Sequence, residues 1–422
     1  MKKTFFQIGA PRDGREAYLA AARKRNMRAV LVERPEFLAL RAAAGRPAFD
    51  ATIATPSPAN PAAVCDAIRR IDPSPALVLA AFERYARCAH EVAGRLGVGP
   101  DGGEFVPPEK YQQRAALLQY APEIAQPRFH HLKAGENKPA GLSYPAVVKP
   151  VNGGGGLGVM LVHDDAELHR ARQHGKSLTN YDGAKLDEWI LEEYIEAPEW
   201  SAQGLCRGGI CQVFAVCSKV VACEAVDGLP GVLGFREVAH IATPAATMKP
   251  ATRRFVERAL AAAGYADGPF HIDFRYAGEP VFIEMGFRLS GAAVTDLVRY
   301  VSGRDWGEAA FSWMLGERPS PATAPALACA ANILAFREAQ IEKARRAVPN
   351  GQLRVEALAV PRLPPGAAGG LSADLSRHTG PIARLQIIGD DEDVVRNLAI
   401  EIATLPLQER KDDENLLEYR NA

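Results

Sequence analysis

The 422-residue chain has no excess of charge of either sign, with 50 Lys and Arg against 50 Asp and Glu. It has no basic block either, which argues against nucleic acid or a membrane surface as its main partner. No apolar run approaches the roughly 20 residues that cross a bilayer. The opening Met-Lys-Lys-Thr-Phe-Phe-Gln-Ile-Gly loses its apolar character at Gln7, and no small-residue cleavage site follows, so it does not read as a secretory leader. The seven cysteines contain no C-x-x-C pair, and the four from Cys206 to Cys223 are spaced five or six apart. Zinc sites normally use tight pairs, so the expectation is reduced, mostly buried thiols in a cytoplasmic protein. What is present is apolar content, 47% of residues, in a length that suggests two to four domains. Disorder as the overall state is excluded.

Three modules are the simplest partition. In the first, residues 1–105, Thr4–Ile8 reads as a strand, Gly9–Gly14 as a turn, Arg15–Arg25 as a helix and Arg28–Val32 as a strand ending at Glu33. Glu33 stands where a ribose-binding acid would in a dinucleotide fold. The loop lacks the G-x-G-x-x-G order, however, and Pro11 removes a backbone donor. A structural α/β domain is the better reading. A strand at Ala76–Ala80 and a helix at Phe82–Leu96 follow, and Gly99–Gly103 marks the boundary. The second module, 106–318, mixes helices, hairpins and a glycine loop, ends in a helix at Trp306–Leu315, and is closed by a Pro-rich linker at Pro319–Pro325. The third, 319–422, has strand patterns at Ala330–Phe336, Arg354–Val360 and Ile382–Ile388, a Pro/Gly-rich stretch at 364–370 and a helix from Asp390–Asp393 to Thr404.

The strongest local signal is Tyr144–Val162, with Lys149 closing one strand and Gly153, Gly154, Gly155, Gly156 and Gly158 in the loop behind it. A Rossmann turn must lead into a helix, yet Val159–Val162 reads as a strand. A Walker loop needs Gly-Lys-Ser/Thr, which is absent. What remains is a strand–flap–strand whose glycines let successive N–H groups meet phosphate oxygens beside the Lys149 ammonium. The plain alternative is a flexible hairpin with a surface lysine.

A second signal is Phe270–Gly286, two alternating strands about an Ala277–Pro280 turn. If Tyr276 pairs with Val281, Asp273 lies opposite Glu284. His271, Asp273 and Arg275 then share a polar face with Phe282, Glu284 and Gly286, while Ile272, Phe274, Tyr276, Val281, Ile283 and Met285 form an apolar one. Opposed carboxylates repel unless a cation bridges them. Mg²⁺ shared with phosphates would do so, and Arg275 with Arg288 could do so instead as a salt-bridge network.

Taken in order, Lys110, Val-Val-Lys149-Pro with its flap, Trp189–Ile195, Glu199, Glu237-Val-Ala-His240, Asp273 and Glu284-Met-Gly-Phe-Arg288-Leu-Ser-Gly291 resemble the ATP-grasp superfamily over about 106–318. Within it the chain is most similar to carboxylate–amine ligases of the L-amino-acid (dipeptide) ligase kind. The resemblance implies an α/β and α+β protein: an N-terminal pre-ATP-grasp α/β domain, an ATP-grasp fold of two α+β subdomains with a lid at about 146–205, and a small C-terminal α+β module. It implies ATP, held by Lys110, Lys149 and Gly153–Gly158, with Glu192, Glu193, Tyr194 and Ile195 as the adenine hinge and Glu199 near the ribose. It implies Mg²⁺, or Mn²⁺, on Asp273 and Glu284. Arg288 and Lys149 would be catalytic, Arg288 stabilising an acyl phosphate, and Glu237, His240, Arg288, Ser290 and Gly291 would contact small-molecule carboxylate and amine substrates. Lys219 is a further phosphate or substrate contact. A homodimer is the family-like expectation. Many relatives have Asn two residues after the metal Glu, where this chain has Gly286. The alternatives are an ATP-grasp carboxylase or thioester-forming ligase, or a catalytically silent nucleotide-binding protein. An NAD-dependent oxidoreductase would rest only on Gly9–Glu33 and the formal Gly153–Gly158 match.

Overall fold

The computed structural model describes residues 2–100, 105–133, 136, 138–180, 184–186, 188–322, 326–358 and 380–408. The first strand, Thr4–Ile8 (β1), is buried along its whole length, as a parallel strand covered on both faces must be. Ala17–Lys24 (α1), Arg28–Glu33 (β2), Pro35–Ala43 (α2), Ala51–Ala54 (β3), Pro61–Ile71 (α3), Leu77–Ala80 (β4) and Ala86–Leu96 (α4) follow. The strands form a parallel sheet in the order β3-β2-β1-β4. Asn60 caps α3, accepting from the Ala63 N–H, with Pro61 in the first turn. The helix expected from Phe82 begins as a single 3-10 turn, Glu83–Tyr85, before α4. Glu33 is fully buried and serves its own module, accepting from the Ala10 N–H at 3.0 Å and pairing with Arg12 at 2.9 Å. The carboxylate is therefore a structural brace.

The chain continues through Lys110–Tyr120 (α5), Phe129–Leu132 (β5), Ala146–Pro150 (β6), Met160–Val162 (β7), Asp165–Ser177 (α6), Trp189–Glu193 (β8), Glu199–Arg207 (β9), Ile210–Ala225 (β10) and Leu233–Pro244 (β11). Then come Pro250–Ala262 (α7), Gly268–Ala277 (β12), Glu279–Gly286 (β13), Val294–Ser302 (α8) and Trp306–Met314 (α9). Cys329–Ala335 (β14), Glu338–Ala347 (α10), Leu353–Ala357 (β15), Ala383–Gly389 (β16) and Glu392–Gln408 (α11) complete the described elements. One sheet joins twelve strands in the path β13-β12-β9-β10-β11-β7-β6-β8-β5, with β14, β16 and β15 branching from β11. The last strands thus continue the sheet: β14 pairs with β11 over Ala239–Ala242, and one core holds Val238 and Ile241 with Leu385 and Ile387. Residues 364–370 and the end of the Pro-rich linker, 323–325, lie outside the described residues. Among the described residues no helix is long and apolar enough to cross a membrane.

One expectation about cysteine is overturned. Cys206 and Cys211 face each other across the β9–β10 hairpin and form a disulfide. Gly208 and Gly209 both take positive φ, which suits a tight hairpin and brings the two cysteine Cα atoms to 4.1 Å. Cys65, Cys88, Cys217 and Cys329 are free and buried.

Candidate functional site

A cleft of about 960 Å³ opens where the first module, the large sheet and the C-terminal strands meet. The β12–β13 hairpin forms part of its wall. Asp273 does lie opposite Glu284, but by a different route from the one the alternation suggests. The turn is tighter, with Ala277 paired to Glu279 across Gly278, and a bulge follows Asp273 on the way to Phe274. The two shifts cancel at the carboxylates. Between them the bulge turns Phe282 into the core beside Ile272 and Phe274, and leaves Ile283 lining the cleft. These are the reverse of the faces expected for Phe282 and Ile283.

β13 is an edge strand, and α5 covers it. Gln113 exchanges two hydrogen bonds with the Met285 backbone, both 2.9 Å. Arg114 donates to the Phe282 and Ile283 carbonyls at 3.0 and 2.9 Å. One turn earlier on the same helix, Lys110 pairs with Glu284. Burial raises the Glu284 pKa, but Lys110 and Lys149 outweigh it and hold it at about 2.

Two further charge groups complete the wall. Glu192 is buried between Arg114, at 2.7 Å, and Lys149, at 2.6 Å. Of the hinge residues, Glu192 has its carboxylate on two cations, and β8 ends at Glu193, leaving Tyr194 and Ile195 as irregular backbone on the cleft. Burial lowers the Lys149 pKa, with Arg114 adding to it. Lys219 reaches Glu237 at 2.8 Å, Asp273 at 2.9 Å and Glu199 at 3.1 Å. These carboxylates raise its pKa well above the usual value against the effect of burial. Burial in turn pushes Asp273 up to about 6, with Glu237 and Glu199 adding to it against Lys219.

Arg275 and Arg288 do not neutralise the carboxylate pair. Arg275 binds Glu199 and the carbonyls of Ile195 and Ala197, while Arg288 pairs with Glu83 of the first module at 2.6 Å. A bulge in β11 at Val238 places Glu237 and His240, three residues apart, on the same face, 3.3 Å from each other. Of the candidate residues, all but Gly158 line the cleft. Gly158 takes φ +70° inside the flap, where a Cβ would meet Pro150 and Leu186. Sequence reasoning missed Arg114, although its place four residues after Lys110 on one helix was a usable signal, and it passed over Glu83 and the central role of Lys219.

The donor set suits a divalent cation bound together with phosphates. Asp273 Oδ1 receives no well-aligned hydrogen bond, Lys219 approaching it as an ion pair. Among the described residues no three His, Cys, Asp or Glu side chains form a cage of their own. Magnesium needs only one or two carboxylates when phosphate oxygens and water supply the rest.

Residues 142–296 match the ATP-grasp domain family. The glycine flap, the β12–β13 hairpin and Arg288 all fall inside this match. The fold of the chain is similar to that of an L-amino acid ligase from Bacillus licheniformis, 19% identical, over 100% of this chain and 99% of the other at a TM-score of 0.64. It is also similar to an N5-carboxyaminoimidazole ribonucleotide synthetase solved with ADP, 15% identical, over 96% of this chain and 98% of the other at 0.65. A stretch of 93 residues, 22% of this chain, is 39% identical to a D-alanine–D-alanine ligase of Pediococcus pentosaceus and spans about a quarter (24%) of that ligase. The mixed α/β architecture of this chain is thus shared along nearly its whole length with solved structures.

Proposed function

We propose that this protein is an ATP-grasp enzyme, an ATP-dependent ligase that activates a carboxylate as an acyl phosphate and couples it to an amine, with an amino acid as at least one substrate. One observation carries the reading: the opposed carboxylates Asp273 and Glu284 share a single cleft with Lys110, Lys149, the glycine flap and Arg288. Glu284 is paired with the Lys110 ammonium, which a nucleotide's phosphates could draw away.

On this reading Lys110, Lys149 and the N–H groups of Gly153–Gly156 hold the phosphates. Asp273 and Glu284 hold Mg²⁺, which when bound offsets the phosphate charge that would repel an incoming carboxylate. The substrate carboxylate oxygen attacks the γ-phosphorus, and the bond to ADP breaks with its electrons leaving on ADP. An amine nitrogen then attacks the acyl carbon, phosphate departs and the nitrogen sheds a proton. Arg288 stands beside the segment Leu289–Gly291 on the cleft, where a fixed cation would stabilise charge on the acyl phosphate. His240 with Glu237 is the pair placed to orient the acceptor or take up that proton. Closing the flap excludes water that would hydrolyse the intermediate.

The test is phosphate release from Mg-ATP with amino acids and small carboxylates, singly and in pairs, with Glu284→Gln as control. Release that requires two substrates and disappears in the variant supports the ligase. Nucleotide binding with no release across the panel would favour a binding-only protein, and no nucleotide binding would overturn the reading of the site.

A further inference from the structure

The cleft segment after Arg288 ends in two consecutive alanines of left-handed backbone, Ala292 at φ 55° and Ala293 at φ 57°. For residues with a Cβ this region is disfavoured, and such outliers persist only where surrounding contacts fix them. The contacts come from the two flanking modules. From the first, Asp13 Oδ2 accepts the Ala293 N–H at 2.6 Å, its other carboxylate oxygen being used by the Arg15 N–H. From the last, the side-chain amide of Asn332 on β14, itself buried, donates to the Ala292 carbonyl. The next turn is held in the same way. Arg15 donates to Asp296 at 2.8 Å and to both oxygens of Glu356 on β15, and Gln386 on β16 donates to Asp296 at 3.1 Å.

We propose that Asp13 and Asn332 are positioning residues that hold Ala292 and Ala293 in the left-handed conformation and thereby set the Arg288–Gly291 segment of the cleft. The functional part of this inference rests on the ligase reading; the conformational part does not. The Ala293 N–H that opens α8 is satisfied by a carboxylate of another module, so the geometry of this part of the cleft reports the docking of all three parts of the chain.

The experiment compares Asp13→Ala, Asp13→Asn and the double variant Asp13→Ala/Ala293→Gly in the full-length protein. The primary readout is amide hydrogen exchange at Val294 and Asp296, whose N–H groups bond to the Gly291 and Ala293 carbonyls. Asp13→Ala should speed this exchange about tenfold, the size expected for losing a cap. Asparagine can still accept the N–H, and glycine removes the penalty that the pin offsets, so both other variants should restore protection. In turnover, the same series should raise and then restore KM for the substrate pair while KM for ATP stays fixed. If asparagine and glycine fail to restore protection, Asp13 acts by gross docking alone and the proposal is wrong. Should Asp13→Ala not fold, Ala293→Gly in the otherwise native chain decides: a Tm rise of about 2 °C supports stored strain and a fall overturns it. Failure of the wild-type protein to bind Mg-ADP would count against the ligase reading, while the exchange result would stand on its own.

Discussion

Lys219 Nζ lies 2.9 Å from Asp273 Oδ1 at the cleft wall, and the same ammonium serves Glu237 and Glu199. One buried cation therefore compensates carboxylates from three different strands, β9, β11 and β12. Lys219→Met should destabilise the protein by about 3–5 kcal/mol at pH 7, because it leaves buried charge without a partner. Urea denaturation checks this. The loss should shrink toward pH 4, where protonated carboxylates need no counter-ion, and a variant as stable as the parent would show that the cluster is solvated.

That cluster also marks how far the sequence could be read. The Asp273–Glu284 pairing was legible because a period of two within one hairpin is local information. The bulge that puts Ile283 on the cleft was not, since the Phe282 and Ile283 carbonyls there are met by Arg114 from a helix distant in sequence. Lys219 carried no local signal, because its partners come together only when β9, β10, β11 and β12 pair. The N-terminal βαβ pattern was plain from β1, α1 and β2, and what Glu33 does there needed the Ala10 and Arg12 contacts to decide. The branching of β14 from β11, which ties the last module into the large sheet, depends on pairing between strands about ninety residues apart.

A pH dependence follows from two neighbours on β12. Burial and Arg288 hold the His271 pKa near 4, below its ordinary 6.5, whereas Asp273 is raised to about 6 from 3.8. Between pH 6.5 and 4 the unfolded chain takes up a proton at His271 that the native state refuses, so this term loses stability as pH falls. Asp273 takes up a proton that the unfolded chain refuses, so its term gains stability over nearly the same window. The two oppose each other, so their joint contribution should be nearly flat there, and the fall in the parent comes from depressed carboxylates such as Glu284. Asp273→Asn removes one side and should steepen the loss between pH 7 and 4.5 by about 2 kcal/mol relative to the parent. Denaturant titrations at the two pH values measure it, and an unchanged profile would refute the assignment.

Gly286 should resist any side chain. A Cβ there would lie 2.0 Å from His271 Cε1, so the imidazole occupies the space that a residue at this position would need. Gly286→Ala should cost about 1–3 kcal/mol through overpacking. In the double variant with His271→Ala the clash is gone, and the combined cost should fall below the sum of the two single costs. Additive costs would mean that the two positions are not coupled.

The two cations on Glu192 should separate stability from nucleotide affinity. Arg114 is only 1% exposed and also holds the Phe282 and Ile283 carbonyls, so Arg114→Met strips a buried carboxylate of one partner and frees two backbone acceptors. It should cost about 3–5 kcal/mol of stability. Lys149 makes one ion pair, and Glu192 keeps Arg114 when that pair is lost. Lys149→Met should therefore be the milder change in urea denaturation, yet lower Mg-ADP affinity about 100-fold by calorimetry, as expected for removing a charge-assisted phosphate contact. The division follows from burial: the guanidinium is locked between carboxylate and backbone, whereas the ammonium faces the flap and can exchange Glu192 for phosphate without leaving that carboxylate unpaired. Equal stability costs, or unaltered nucleotide affinity in Lys149→Met, would show that Lys149 is a structural counter-ion and that the flap does not act as a phosphate cradle.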